Sequence, residues 1–245
     1  MRTLGLIGVG MIGGTLARLA VAAGLHVVIS NSREPETLDP LVADLGGRAR
    51  AATAEETALA GDLVVAAIPQ RAYRNLPAAA LAGKTVIDTT NYFPDRDGRT
   101  AALDSGEIAS SALVQQLLVR SHVVKAFNNI DFWHLFTGAR PAGAADRSAL
   151  PIAGDCDRAK ESVATLLHLV GYDTVDIGEL ADSWRSEPGM PAYVWPYMAV
   201  RPEDLPAEDV CCQFLEAPGV VVPAHKVREL VDSAESGGDR QPVRW

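Results

Sequence analysis

The sequence predicts an α/β fold with a doubly wound, mostly parallel sheet, and three observations carry that prediction. Apolar strand-like runs alternate with stretches of helical period from Thr3 to about Gly178. The strand runs are continuously apolar rather than alternating, which is the pattern of a parallel sheet covered on both faces. A glycine-rich turn, "GVGMIG", joins the first strand to the first helix.

The elements follow in order. "TLGLIG" reads as a buried strand ending at Gly8. Ile12, Leu16, Leu19, Ala20 and Ala23 then recur at helical spacing, and Gly24 suits the helix stop. "HVVIS" is a second strand. Leu38, Leu41, Val42 and Leu45 suggest a short helix, confined by Pro35 and Pro40 and ended by Gly46 and Gly47. A small strand, "ARAA", follows, and Thr53 with Glu56 has capping-box spacing before another short helix. "DLVVAAIP" is the clearest buried strand, stopped by Pro69. "KTVIDTT" comes next, then a helix around Ile108 to Val119, then "HVVKAFN" and "LPIAGD". Val163, Leu166, Leu167 and Val170 mark a helix closed by Gly171, before a last strand in "DTVDIG".

Beyond Gly178 the rhythm breaks. "WRSEPGMPAYVWPYM" is rich in aromatics and proline, and "APGVVVPAHKVRELV" holds a short extended segment and a helix. We expect a nucleotide-binding domain over residues 1–148 and a small C-terminal domain over 149–245 that completes a cleft, with a flexible tail from about 235.

Composition narrows the function classes. A formal net charge of -9 argues against nucleic-acid or anionic-membrane partners and makes any local basic patch informative. No apolar run reaches the ~18 residues of a membrane span, and no signal peptide is read at the start. The three cysteines, Cys156, Cys211 and Cys212, form neither a disulfide framework nor a metal-ligand spacing, as in reduced thiols of a cytoplasmic protein. No metal site is expected.

Gly8, Gly10 and Gly13 give G-x-G-x-x-G between strand and helix, the Rossmann dinucleotide-binding pattern. Its glycines serve a tight turn, close approach of backbone to pyrophosphate, and a helix packed near the sheet. Val9, Met11 and Ile12 complete the turn, and the diphosphate would sit on free N–H groups at the helix N-terminus. The end of the second strand chooses the dinucleotide. A carboxylate there would read the ribose hydroxyls, but Asn31, Ser32 and Arg33 stand in its place. A hydroxyl and a guanidinium suit a 2'-phosphate, so NADP(H) is preferred.

Further candidates follow the later strands. Ile68, Pro69 and Tyr73, after the fourth strand, would lie over the cofactor. Asn91 in "TTNY" and Ala126, Asn128 and Asn129 in "KAFNN" would flank the nicotinamide, the asparagines as carboxamide or acceptor contacts. Among five histidines only His134 is placed near the site, and it stands with Asn128 as a catalytic candidate. Trp184, Arg185 and Tyr193 would supply a second wall.

The ordered set "GxGxxG", "SR", "AIP", "KAFNN" and "LPIAGD...VGYDTVDIGEL" resembles the NADPH-dependent coenzyme F420 reductases, the F420-dependent NADP oxidoreductase family. The form "SNSR...DTTNY...KAFNN" is most similar to its actinobacterial members. The resemblance covers roughly residues 1–200. It implies reversible hydride transfer between NADP(H) and the deazaflavin F420 as co-substrate, in a cleft between a Rossmann domain and a small C-terminal domain. It places the 2'-phosphate contacts on Ser32 and Arg33, and it implies a homodimer, for which Cys211 and Cys212 are interface candidates. The chain departs from the family at Val9, where reductases of known activity often carry Thr, and in a longer tail after about Val200.

Hydride transfer asks the protein for orientation and a dry site more than for reactive side chains. Lys125, Arg140, Arg147 and Arg185 are candidates for the anionic side of F420. Two other readings stand beside this one. An NADPH-dependent reductase of a flavin or of a small imine or carbonyl compound would need a proton donor, for which Tyr92, Tyr193 and His134 are the candidates. A non-catalytic NADP-binding sensor would have no cleft for a second ring system.

Overall fold

The computed structural model describes residues 1–200 and 217–235. Eight strands form one sheet: β1 (Thr3–Ile7), β2 (His26–Ser30), β3 (Ala49–Ala51), β4 (Leu63–Ala66), β5 (Thr85–Asp88), β6 (His122–Lys125), β7 (Ala149–Gly154) and β8 (Asp173–Asp176). Their order is β3-β2-β1-β4-β5-β6-β7-β8. The first six strands are all parallel. The chain winds outward from β1 to β3, crosses back, and winds the other way from β4. That reversal opens a crevice at the carboxyl ends of β1 and β4, where open α/β sheets bind ligands.

The helices are α1 (Met11–Ala22), α2 (Asp39–Leu45), α3 (Ala54–Ala60), α4 (Pro94–Asp97), α5 (Ala101–Asp104), α6 (Ser110–Leu117), α7 (Phe132–Thr137), α8 (Asp157–Leu169) and α9 (Ala224–Asp232). The punctuation read in the sequence acts as expected. Thr53 and Glu56 close a capping box on α3, and Gly24 and Gly171 take left-handed φ of 85° and 106° just past α1 and α8. α4, α5 and α7, at four to six residues, are too short to show a helical period in the sequence.

Neighbouring residues of the central strands face opposite sides of the sheet. Leu6, Val65, Ile87 and Val124 join one apolar core with Leu16 of α1 and Leu166 of α8. Ile7, Val64, Val86 and Val123 join a second core with Leu81 and with Val114 of α6. Both faces of the sheet are therefore buried, which is why these strands read as unbroken apolar runs.

The sheet is mostly parallel, as expected; its antiparallel pairing is β7 with β6, Lys125 opposite Ala153. β8 then runs parallel to β7. The boundary expected at 148/149 coincides with this reversal. Strands on both sides of it belong to one sheet, and one core cluster contains residues from both. Beyond β8 the chain makes two 3-10 turns, Leu180–Ser186 and Trp195–Tyr197, and a bridge from Met198 to Gly219. The tail from about 235, Cys211 and Cys212 lie outside the described residues, apart from Glu235 itself. No helix among the described residues is long and apolar enough to cross a membrane, and none of their His, Cys, Asp and Glu side chains form a metal-binding group.

Candidate functional site

The crevice begins with the glycine turn. Gly8 has φ 93°, and a Cβ there would stand 2.4 Å from the carbonyl oxygen of Ala67, so the loops after β1 and β4 touch. A Cβ on Gly13 would fall 1.9 Å from the Gly8 carbonyl oxygen, and only glycine lets α1 start this close to β1. Gly10 is different: a Cβ there meets nothing within 4 Å. Its bare backbone faces open space at the start of α1, whose first turn has no side-chain cap and no acidic residue. Unpaired N–H groups at the positive end of a twelve-residue helix, beside an exposed glycine, form a phosphate cradle. Met11 is 70% exposed beside it, and Val9 and Ile12 are half-buried.

The loop after β2 is prepared for an anion. Asn31 accepts a hydrogen bond from Arg33 N (2.8 Å) and donates to Thr37 Oγ1 (2.9 Å), which fixes the turn. Asn31 is thus the brace of this loop, and its amide is already engaged. Ser32 and Arg33 are exposed. Among the described residues neither side chain makes a hydrogen bond or ion pair. A hydroxyl and a guanidinium held out on a rigid turn at the carboxyl end of β2 match a ribose 2'-phosphate.

On the other side of β1, Ile68 is half-buried and Pro69 exposed, so both stand at the mouth of the crevice. Tyr73 does not. It is 8% exposed and packs into the second core, because it lies three residues after buried Gln70 on the inner face of the 3-10 turn Gln70–Asn75.

Past β5 and β6 the expected contacts are spent within the protein. Asn91 Nδ2 donates to the Asn128 carbonyl oxygen (2.8 Å). The Asn128 amide donates to Asn91 Oδ1 (3.2 Å) and to the Ser186 carbonyl oxygen (2.7 Å), and its Oδ1 accepts from Ser186 Oγ (3.3 Å). Asn129 Nδ2 donates to the Ala192 carbonyl oxygen (3.0 Å) and to Tyr197 Oη (3.1 Å). These asparagines fasten the 180–197 segment to the sheet edge instead of presenting amides to a ligand. Of the set, Asn91 alone keeps partial exposure; Ala126 is fully buried. Between them Phe127 adopts φ 60°, a left-handed conformation rare for a bulky residue, fixed here by complete burial.

A buried ionic cluster supports the same edge. Lys125, 1% exposed, donates to the Thr90 carbonyl oxygen and to Ser110 Oγ (2.9 Å), with Asp88 at 3.7 Å and Glu187 at 4.0 Å. Glu187 accepts from both the N–H (2.9 Å) and the hydroxyl (2.6 Å) of Ser110, and Asp88 accepts from Ser111 Oγ. The Lys125 ammonium thus sits between two carboxylates, which also receive hydrogen bonds from Ser110 and Ser111 at the N-terminus of α6. Lys125 therefore cannot reach an anionic substrate. Arg147 is equally committed, to Asp173 and to the carbonyls of Arg140, His168 and Tyr172. Arg140 is held by Asp146 and by the carbonyls of Thr137 and Ala139. Arg185 lies over the Trp184 ring, 5.4 Å from its centroid.

His134 sits on α7 at 2% exposure, its Nδ1 2.7 Å from Asp131 Oδ2. The same Asp131 caps α7 through the N–H groups of Trp133 and His134. His134, Ile130, Trp133, Tyr172 and Tyr197 line a cavity of about 290 Å³. Thr15 Oγ1 of α1 reaches the Phe132 carbonyl oxygen (3.4 Å), so α7 stands one turn along α1 from the phosphate cradle.

The fold and the crevice define a Rossmann-type dinucleotide-binding protein. Residues 3–92, the nucleotide-binding segment, match the family described as NADP oxidoreductase, coenzyme F420-dependent. The hypothetical protein SMa0349 from Sinorhizobium meliloti has a similar structure, with a TM-score of 0.68 and 29% identity over 79% of this chain and 93% of that one. A proposed F420-dependent NADP reductase from Arthrobacter sp. FB24 shares the fold, with a TM-score of 0.63 and 23% identity over 75% of this chain and 87% of that one. The metalloreductase STEAP3 of Rattus norvegicus is 30% identical over 186 residues, 75% of this chain. The chain spans only 35% and 39% of the two curated relatives it matches, the second being the protein YjhV of Escherichia coli.

Proposed function

We propose that this protein is an NADP(H)-dependent oxidoreductase that exchanges a hydride with the deazaflavin coenzyme F420. The observation that carries the NADP reading is the loop after β2. There Asn31 braces the turn and leaves Ser32 and Arg33 exposed and unengaged, where an NAD-specific site would carry a carboxylate. Gly8, Gly10 and Gly13 hold the diphosphate, with Val9, Met11 and Ile12 around it, and Ile68, Pro69 and Asn91 border the ribose and nicotinamide. Bound NADPH supplies the hydride; the chain supplies the cradle, the 2'-phosphate contacts and a fixed edge beside the ring. In the forward direction NADPH, F420 and one proton give NADP+ and reduced F420.

F420 is favoured by the description of the family model that residues 3–92 match. The carbonyl or imine reading needs a side chain that gives up a proton at the ring. Of its candidates, Tyr92 donates to Asp104 (2.8 Å), and burial followed by that hydrogen bond raises its pKa. Burial likewise raises Tyr193. His134 is enclosed beside Asp131, so all three suit that role poorly.

Turnover tests the proposal. Purified protein should consume NADPH when F420 is added and not when FMN or a cyclic imine replaces it. NADPH binding without F420 reduction would sink the F420 assignment and favour the sensor reading.

A further inference from the structure

This inference rests on the proposed hydride exchange and concerns its second substrate. Four arginines stand between residues 70 and 100, at the carboxyl edge of β4 and β5, in a chain of formal net charge -9. Arg71 and Arg74 lie in the 3-10 turn after β4, where residues three apart are stacked one above the other. Gln70 and Tyr73 take the buried face, so Arg71 and Arg74 share the exposed one. Arg96 lies in α4, after β5, and Arg99 follows it; their side chains are 42% and 80% exposed.

The two loops are joined. Arg71 Nη1 donates to the Arg96 carbonyl oxygen (2.6 Å). The Asp97 carboxylate, 2% exposed, receives the Arg96 guanidinium (2.8 Å), Phe93 N (3.0 Å) and Arg71 N (3.4 Å). Asp97 thus acts as the internal knot of the rim and holds the Arg96 guanidinium through Nε (3.0 Å) and Nη2 (2.8 Å), while the Arg71, Arg74 and Arg99 side chains stay at the surface. Arg96 Nη2 also donates to the Asn91 carbonyl oxygen (2.7 Å), which connects the rim to the half-exposed asparagine at the end of β5. Among the described residues Arg99 makes a long contact to Asp104 (3.7 Å), and Arg74 lies over the Tyr73 ring, 5.7 Å from its centroid.

Position decides which anion this rim suits. The NADP 2'-phosphate belongs at the end of β2, and the diphosphate at the turn after β1. β5 lies three strands from β2, about 14 Å away at the usual spacing. The 2'-phosphate is therefore accounted for three strands away, and the diphosphate is held by the backbone of the turn after β1. We infer that Arg71, Arg74 and Arg99, on loops tied together by Arg96 and Asp97, form an anion subsite for the phosphate or carboxylate groups of the hydride partner. The second substrate is then an anionic molecule whose ring lies near Asn91 and whose charged arm runs out over α4.

Binding titrations test this without requiring turnover. Fluorescence titration, in the presence of NADP+, compares F420 with the same deazaflavin ring lacking the phosphate–glutamate arm. Wild-type protein should bind F420 on the order of tenfold or more tightly than the bare ring, with a preference that falls as salt rises. In Arg71→Ala/Arg99→Ala that preference should shrink toward one, while NADPH affinity stays at the wild-type value. Arg71→Lys/Arg99→Lys should keep much of it, which separates lost charge from damaged structure. Equal affinity for both rings in the wild type, an unchanged preference in the alanine variant, or no binding of either ring would overturn the inference. A fall in NADPH affinity in the alanine variant would reassign the rim to the dinucleotide and also overturn it. Binding of F420 through the rim without its reduction would leave the subsite standing and remove the proposed activity instead.

Discussion

At the residue scale the account turns on side chains that were prepared and left unused. Asn31 spends its amide on the turn so that Ser32 and Arg33 need not. Arg33→Ala should therefore weaken NADPH by about 10- to 100-fold, the value of one or two charge-assisted hydrogen bonds, and leave NADH nearly untouched. Equal losses for both, measured by equilibrium titration, would remove the 2'-phosphate role. Gly13→Ala forces a Cβ onto the Gly8 carbonyl, and it should cost about 1–3 kcal/mol in denaturant unfolding along with nucleotide binding. Asp97 gives a pH signature. Burial raises its carboxyl pKa, but the Arg96 side chain and the N–H groups of Phe93 and Arg71 outweigh that, and the net effect holds the carboxyl below its ordinary value. A carboxyl depressed in the folded state adds stability above its unfolded pKa and loses it as pH falls through its folded value. Asp97→Asn should accordingly be less stable than wild type near neutrality, and the two unfolding midpoints should converge as pH drops below about 4.

At the element scale, legibility in the sequence tracked periodicity. β1, α1, β2, β4 and α8 are long enough and apolar enough to show their period, and their stop residues occupy the expected conformations. The antiparallel insertion of β7 was not legible, since a buried strand has the same apolar pattern in either direction. The site divided along the same line. The glycine turn acts through backbone, so spacing alone revealed it. Asn128, Asn129 and Lys125 act through side chains, and their direction depends on partners such as Ser110, Ser186 and Ala192, 15 to 63 residues away in the chain. No local pattern announces those pairings. The ionic cluster among them permits a test of how the sheet edge is held. Lys125→Met leaves Asp88 and Glu187 buried without their cation and should cost about 3–5 kcal/mol. Combining it with Asp88→Asn and Glu187→Gln should recover part of that loss in urea unfolding.

At the scale of the whole molecule, one sheet places the proposed 2'-phosphate contacts at the end of β2 and the proposed diphosphate cradle after β1. An arginine rim stands beyond β5. The 180–197 segment is fastened along the same edge through Asn128, Asn129 and Glu187. Under the proposed function that arrangement would hold two substrates side by side, as transfer between two redox cofactors requires. Isotope transfer tests this most directly. NADPH carrying deuterium at the transferable C4 position should be incubated anaerobically with F420 and the protein. The account predicts that the deuterium appears on carbon in the reduced deazaflavin in near-stoichiometric yield. Reduced F420 without the label, or no reduction while NADPH remains bound, would contradict it.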